Sequence, residues 1–380
     1  MKPGKDHMKS MKSDNIQKIR IDLLQPGVFI QLIGKWFGHP FLFNKFKIKN
    51  WNQIEILEKL GVKEVLWIPE KSDCWPREAN EAKSAEPELV APKEDDPYVA
   101  LMWRIKKEQM EHLKQIHQNL QQCTRNYDRV VKSVPQLMKK VMTGSKEAVA
   151  SARETVGEMV DSFLGDSDAI VHLINIKEKD EGIYHHSLNV SVLAIMMGKK
   201  LKMGATEMYE LGIASLFHDI GKNSIEKKIL KKKPPLTRAE QSIIQLHPQY
   251  GVEILTKSGV RDPMTIRAVA EHHEHWNGTG YPSGLKGDQI SKFARIIRMV
   301  DCYDNLCNNP DASAKMTPYE ALSYMYTKLK GHHDIELFSL FIRSMGIYPP
   351  GTVVALSGGE IGIVITINPN NPLKPSLLLY

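Results

Sequence analysis

Leu216-Phe217-His218-Asp219-Ile220-Gly221-Lys222 decides the reading of this chain. An imidazole and a carboxylate stand side by side directly after an apolar run, Tyr209 to Phe217. Gly221 permits close approach of backbone or ligand, and Lys222 adds a cation. Neighbouring His and Asp side chains converge on one point where a helix ends or bends. Aspartate offers two oxygens, so Asp219 can bridge two metal ions, an arrangement suited to attack on a phosphate ester. The dipeptide alone is a weak signal, because a histidine that merely caps a helix writes the same two letters.

Further histidines and carboxylates strengthen it. They are His186, His247, His272-His273 and Asp301. His247 precedes Pro248, a place where a helix starts. His272-His273 closes an apolar helix, Ile266 to Ala270, and Asp301 follows Ile296, Ile297 and Val300. Separations this long are closed only by a folded bundle, as in dinuclear sites built from facing helices. His186, His218, Asp219, His247, His272, His273 and Asp301 suit two octahedral ions if Asp219 bridges and water completes the shells. The imidazole and carboxylate mixture favours Fe or Mn over Zn, which prefers four ligands. Each histidine alone reads as an ordinary core or surface residue; the set does not. Between Glu271 and Pro282, Asn277-Gly278 and Gly280 break the helix and Tyr281-Pro282 stiffens the loop. Such a loop either covers the site, with Tyr281 or Trp276 against a ligand base, or is a plain helix-ending turn.

Composition bounds the rest. The 380 residues are 42% apolar and 25% charged, with a formal charge of +7. That is ordinary globular composition with room for two or three domains. The charge fits an anionic ligand but not a DNA- or RNA-binding tail, and no polymer of either kind is expected as a partner. Cys74, Cys123, Cys302 and Cys307 form no Cys-x-x-Cys pair, which reads as four free thiols in a reducing cytosol. The N-terminus has no apolar signal core, and no run is long enough to span a membrane. The expectation is a soluble, cytoplasmic protein.

In chain order, residues 1–15 read as a disordered basic tail. Residues 16–69 read as a small α+β domain. Its strands are carried by Ile19, Ile21, Leu23 and by Val28, Phe29, Ile30, on either side of Gln25-Pro26-Gly27. An aromatic loop from Trp36, a helix from Gln53 to Leu60 opened at Asn50 or Asn52, and a strand from Val65 to Ile68 complete it. The aromatics there read as core. Residues 70–97, broken by Pro76, Pro87, Pro92 and Pro97, read as a linker. Residues 98–144 read as a long helical connector. Its seam is Met102, Ile105, Leu113, Ile116, Leu120, Tyr127, Val130, Val134, Leu137 and Val141, and Pro135 is expected to kink or split it. One narrow apolar stripe needs a partner, either a second copy in a homodimer or the same chain. Residues 145–346 read as helices joined by short polar loops, beginning with Ser145 to Leu164 and Ser167 to Ile176. Residues 347–380 read as a small antiparallel sheet, Thr352 to Leu356, Ile361 to Ile367 and Leu377 to Tyr380. The fold class is mainly α, a helical bundle with a β appendage, preceded by a small α+β domain and a long helix.

Residues 145–380 resemble the HD-GYP domain, a subgroup of the HD metal-dependent phosphohydrolases. The resemblance rests on His218-Asp219-x-Gly221-Lys222, Leu236-Thr237 with Glu240, His247-Pro248 and Gly251, His272-His273-Glu274, Gly278-x-Gly280-Tyr281-Pro282 and Asp301-x-x-Asp304. The N-terminal domain is similar, more softly, to an uncharacterised domain often found before this one. The resemblance implies a helical HD-type fold and a phosphodiesterase that opens cyclic-di-GMP in bacterial second-messenger signalling. It assigns His186, His218, Asp219 and Asp301 to one metal, and Asp219, His247, His272 and His273 to the other. A bridging water, made hydroxide by two cations, would attack phosphorus in line. Lys222 would stabilise charge or assist proton transfer, Asp180 and Asp304 would stand behind the ligands, and Gly280, Tyr281, Pro282, Lys222 and Lys315 would face substrate.

The chain departs from that pattern in three places. Gly182 stands where some members carry a glutamate for a third metal, and Glu181 is turned about 100° away on a helix. Two metals are therefore expected, with linear pGpG as product and slow onward hydrolysis to GMP. Asn277 replaces the usual Asp. After Asp304 the chain reads Asn305-Leu306-Cys307-Asn308-Asn309-Pro310 in place of a basic Arg-Pro-Tyr segment, leaving Lys315 as the nearest downstream cation. This opens an alternative substrate, 3′,3′-cyclic GMP-AMP. The competing classes are a non-catalytic cyclic-dinucleotide receptor acting through protein partners, and a di-iron protein that handles oxygen.

Overall fold

The computed structural model describes residues 16–33, 39–41, 43–77, 97–145, 147–163, 171, 182–232, 235–309, 311–357, 359–368, 371 and 373–379. The 1–15 tail, Trp36, most of the helix expected from Ser167 to Ile176, Asp180 and Glu181 lie outside the described residues. The chain divides into two compact units, Met1–Gln115 and Ile116–Tyr380.

The first unit is built on an antiparallel sheet of order β1-β4-β2-β3, with β1 Gln17–Arg20, β2 Phe29–Leu32, β3 Lys45–Lys47 and β4 Glu64–Trp67. Ile21–Leu23, expected to prolong the first strand, instead forms a 3-10 turn. The edge strand β3 escaped sequence reading because Lys45 and Lys47 flank its one apolar residue, Phe46, a common charge pattern for an edge. Helix α1, Trp51–Lys59, starts where Asn50 accepts a hydrogen bond from the Gln53 amide at 3.2 Å. Gly61 leaves it with φ +72°, a conformation that favours glycine. Val28, Ile30, Leu57, Val65 and Trp67 form the core with Phe41, which stacks on the partly buried Phe46 at 4.7 Å; these two aromatics pack as expected, whereas Phe43 is exposed and is not core. Residues 70–77, read above as linker, lie against the sheet: Ser72 Oγ accepts from the Phe29 amide at 2.8 Å, and the Arg77 amide donates to Leu23 O.

Helix α2 runs unbroken from Pro97 to Met142. Pro135 neither ends nor splits it. A proline removes a single i→i−4 hydrogen bond, and the flanking Val134 and Leu137 are buried in the second unit's core. That core also takes Tyr127, Val130 and Val141, so the C-terminal half of the seam is covered by its own chain.

The second unit continues with α3 Glu147–Phe163, α4 Gly182–Lys200, α5 Ala205–Leu216, α6 Lys227–Leu230, α7 Arg238–Ile244, α8 His247–Lys257, α9 Pro263–Glu271, α10 Lys292–Cys307, α11 Pro318–Thr327 and α12 Ile335–Met345. Helix α4 is apolar nearly all round, with Leu188, Val190, Val192, Leu193, Ala194, Ile195 and Met197 buried. Such a helix belongs at a centre, and α4 packs against α3, α5, α10 and α12. The Thr237 and Glu240 motif proves to be structural. Glu240 accepts from the Thr237 amide while Thr237 Oγ1 accepts from the Glu240 amide, a capping box that starts α7. At the C-terminus β5 Val353–Ala355, β6 Ile361–Thr366 and β7 Ser376–Leu379 pair antiparallel in the order β5-β6-β7. Val364 and Ile365 bury the middle strand.

Candidate metal centre

The signature stretch falls where helix α5 stops. Its last residue is Leu216, Phe217 caps it, and Ile220–Ser224 continues as a 3-10 turn. His218 and Asp219 thus leave the helix in succession and aim into one space. His247 is the first residue of α8 with Pro248 behind it, and His272 caps the C-terminal end of α9. His186 lies on the first turns of α4, and Asp301 in mid α10.

The fold brings all seven side chains together. Asp219 divides its two oxygens between two groups. Its Oδ2 lies 3.4 Å from His218 Nε2 and 3.8 Å from His186 Nε2. Its Oδ1 lies 3.2 Å from His247 Nε2 and 3.7 Å from His272 Nε2. Asp301 Oδ1 closes the first group, 3.1 Å from His186 Nε2 and 3.7 Å from His218 Nε2. His273 joins His247, His272 and Asp219 in the second.

The far side of four of the five rings is spoken for. Carbonyls of Ser215, Ile244 and Val269 accept from Nδ1 of His218, His247 and His272 at 2.7, 2.7 and 2.8 Å, and Asp304 Oδ2 accepts from His186 Nδ1 at 2.8 Å. Each acceptor lies three residues before its histidine in the three helix-end cases, so the local turn itself orients the ring. With Nδ1 donating, the Nε2 lone pair faces inward. The Nε2 atoms of His186, His218 and His273 and Oδ1 of Asp219 are buried without a hydrogen-bond partner among the described residues. Inward lone pairs, orphaned buried donors and an oriented outer layer fit divalent metal ions.

The electrostatics agree. Burial would raise the pKa of Asp219, but Lys222 and then His218 hold it well below the carboxylate range. Asp301 is held low, against its burial, by His186 and His218. Burial would depress His186 and His218, yet the carboxylates win and bring them to about 10 and about 9. His272, dominated by burial, falls to about 4. Ionised carboxylates this deep demand positive charge, which metal ions supply in place of protons. Lys222 Nζ donates to Asp219 Oδ2.

The loop after α9 folds back onto the cluster. The Glu274 carboxylate, 1% exposed, accepts from the amides of Ser283 and Leu285 at 2.7 and 3.0 Å. A Cβ on Gly280 would meet His275 N at 2.3 Å and His273 O at 2.5 Å, which is why only glycine closes this turn. Tyr281 stacks on His273 with ring centres 4.7 Å apart, whereas Trp276 lies under Arg295. Of the two aromatics expected near a ligand, the fold places Tyr281 at the cluster. Pro282 is exposed beside it. Asn277 Oδ1 accepts from Thr279, a role that aspartate fills equally. Lys315 is exposed after a short turn and makes no described contact with the cluster.

Several contributors were not singled out from sequence. Asn189 donates to Asp304 Oδ1 at 2.9 Å and accepts from the Tyr127 hydroxyl at 2.7 Å. Asn305 donates to Asp301 and Asn308 to Asp304, so the asparagines after Asp304 brace the carboxylates one turn earlier. Arg298 stands 3.7 Å from Asp301. Asn189 follows His186 by three residues and Arg298 precedes Asp301 by three, a spacing that shares a helix face and could have revealed both. No local signal links Tyr127 to Asn189.

Comparisons with known proteins agree with this arrangement. Residues 171–337 match the HD domain model, and residues 16–152 match a domain of unknown function (DUF3391). A cyclic di-GMP phosphodiesterase of Pseudomonas aeruginosa is 30% identical over 368 residues, 96% of this chain and 85% of that protein. A 3′3′-cGAMP-specific phosphodiesterase of Vibrio cholerae is 34% identical over 164 residues, 43% of this chain but 35% of its own length. An HDG"Y"P protein from Bdellovibrio bacteriovorus has the same fold, with a TM-score of 0.50 over 86% of this chain and 98% of that one at 16% identity. The chain belongs to the HD-GYP family of HD-domain phosphohydrolases, with the DUF3391 domain at its N-terminal side.

Proposed function

We propose that this chain is a metal-dependent phosphodiesterase that opens cyclic-di-GMP to linear pGpG. The observation that carries the reading is the division of Asp219, one oxygen toward His186 and His218 and the other toward His247 and His272. One ion would be held by His186, His218, Asp219 and Asp301, the other by Asp219, His247, His272 and His273. Iron or manganese suits this donor set. When bound, such a pair supplies a water of lowered pKa and neutralises phosphate charge.

The protein's own part is orientation. Fixed Nδ1 contacts hold the imidazoles ready, Lys222 keeps a proton and a positive charge at Asp219, and Tyr281 offers a ring face at the rim. The similarity to a cyclic di-GMP phosphodiesterase along 96% of the chain supports the substrate. The Vibrio relative supports 3′,3′-cyclic GMP-AMP as the second candidate. The four free cysteines fit a cytoplasmic setting, and no helix among the described residues is long and apolar enough to cross a membrane. A homodimer is proposed on α2, where Leu101, Ile105 and Leu113 are exposed; light scattering of the purified chain tests it.

Protein loaded anaerobically with Fe(II) or Mn(II) should convert cyclic-di-GMP to pGpG, resolved by chromatography, while Asp219→Ala should not. Prompt GMP would overturn the two-ion assignment. Intact substrate from metal-loaded wild type, for both dinucleotides, would favour a receptor.

A further inference from the structure

Three rings of the centre are oriented by their own turns: His218, His247 and His272 each give Nδ1 to a carbonyl three residues back. His186 differs. Its acceptor is Asp304 Oδ2 on α10, 118 residues away in sequence and at 2.8 Å. That ring is only as well placed as the Asp304 carboxylate.

Asp304 is 1% exposed, so its other oxygen must find donors inside the protein. Oδ1 accepts from Asn189 at 2.9 Å and from Asn308 at 2.8 Å. Asn189 follows His186 by three residues on α4, so one helix face grips both oxygens of one carboxylate. An amide serves there in one sense alone, with Nδ2 toward Asp304 and Oδ1 away. The Tyr127 hydroxyl, brought in by α2, donates to that Oδ1 at 2.7 Å and fixes the sense. His185 Nδ1 lies 3.3 Å from the same hydroxyl. Tyr127, Asn189 and Asp304 are all buried, and away from water linked hydrogen bonds strengthen one another. Any backbone carbonyl would satisfy a buried tyrosine hydroxyl. This one instead closes a chain that ends on a ring facing the proposed ions.

We infer that Tyr127 is a positioning residue for His186, acting through Asn189 and Asp304, a role that rests on the pair of ions proposed above. It governs metal affinity in the group that His186 shares with His218, Asp219 and Asp301. The other group takes the orientation of His247 and His272 from local turns and is indifferent to it. Asn308 keeps part of the hold on Asp304, so losing the hydroxyl is felt less than losing the carboxylate.

His273→Ala leaves the first group complete, and His186→Ala leaves the second. Calorimetric Mn(II) affinity and melting temperature are measured in each, with and without Tyr127→Phe, which keeps the ring and its packing. In the His273→Ala protein Tyr127→Phe should weaken manganese about 3- to 10-fold, below the roughly 10- to 100-fold typical of a group touching a ligand directly. In the His186→Ala protein it should change nothing. Asn189→Ala in the His273→Ala protein should weaken manganese at least as much, and adding Tyr127→Phe should cost nothing further. Unchanged affinity in the His273→Ala protein overturns the assignment. Equal losses in both proteins do so too, making Tyr127 a general prop of the fold, and additive losses with Asn189→Ala overturn the route. If a histidine variant fails to fold, Tyr127→Phe alone decides: it should take up two equivalents of manganese, one of them about 3- to 10-fold more weakly, and a loss in neither or in both overturns the role. Turnover of the manganese-loaded wild type is read separately. The expected affinities with both cyclic dinucleotides left intact overturn the phosphodiesterase reading and keep Tyr127 as a positioning residue. Turnover with manganese affinity indifferent to Tyr127 does the reverse.

Discussion

Gly221→Ala should be among the most damaging single-atom changes in the second unit. A Cβ at Gly221 would sit 1.9 Å from the carbonyl oxygen of His247 and 2.5 Å from the amide nitrogen of Gly251. Ordinary contact needs about 3.5 Å, so the 3-10 turn and the start of α8 must part by about 1.5 Å. Both obstacles are backbone, and no rotamer change relieves them. Overpacking of this kind costs about 1–3 kcal/mol, and the upper end applies where the obstacle is rigid. At about 2–4 °C per kcal/mol for a unit of this size, melting should fall by about 6–12 °C. The same shift carries His247 away from Asp219 Oδ1, now 3.2 Å apart. A displacement near 1 Å in a reacting geometry costs roughly 100-fold in rate. Differential scanning calorimetry with manganese titration and turnover measures both effects. Gly251→Ala is the internal comparison: its Cβ meets Val269 Cγ1 at 3.0 Å, a side chain that can turn, so the loss should be smaller. A Gly221→Ala protein that melts within about 2 °C of wild type and keeps its rate would refute the close approach.

Asp304→Ala removes the acceptor for His186 Nδ1 and for Asn189, and should weaken metal affinity about 10- to 100-fold in a manganese titration. Glu274→Gln leaves one oxygen for the two amides of Ser283 and Leu285, so the loop bearing Tyr281 loosens; KM should rise several-fold while metal content, read by elemental analysis, stays at the wild-type value. Manganese at about 100 times its Kd should stabilise the wild type by about 2.7 kcal/mol, visible as a rise in melting temperature that Asp219→Ala does not show.

Much of the centre was legible because its cues are local. A helix stop after Leu216, a Pro at the second position of α8 and paired histidines at the end of α9 each aim a side chain within one turn of backbone, and an apolar pattern marks where each helix begins or ends. The same holds for the strands of the C-terminal sheet, whose apolar runs lie within a residue or two of where they were expected. Reading failed where environment outweighs pattern. The lysines of β3 hid an edge strand, and Pro135 stayed inside α2 because packing of Val134 and Leu137 outweighs one missing hydrogen bond.

By itself, then, the sequence determined the helical class, the bundle with its β appendage and the set of residues able to hold metal, because residue type, helix period and turn chemistry act over a few residues. Only the tertiary structure decided how Asp219 shares its oxygens, that Asn189 and Tyr127 stand behind Asp304, and that Arg298 sets its charge beside Asp301. Those facts depend on which faces of α2, α4, α5, α8, α9 and α10 meet. Packing across 60 to 120 residues of chain sets that meeting, as the 62-residue span from Tyr127 to Asn189 and the 118-residue span from His186 to Asp304 illustrate.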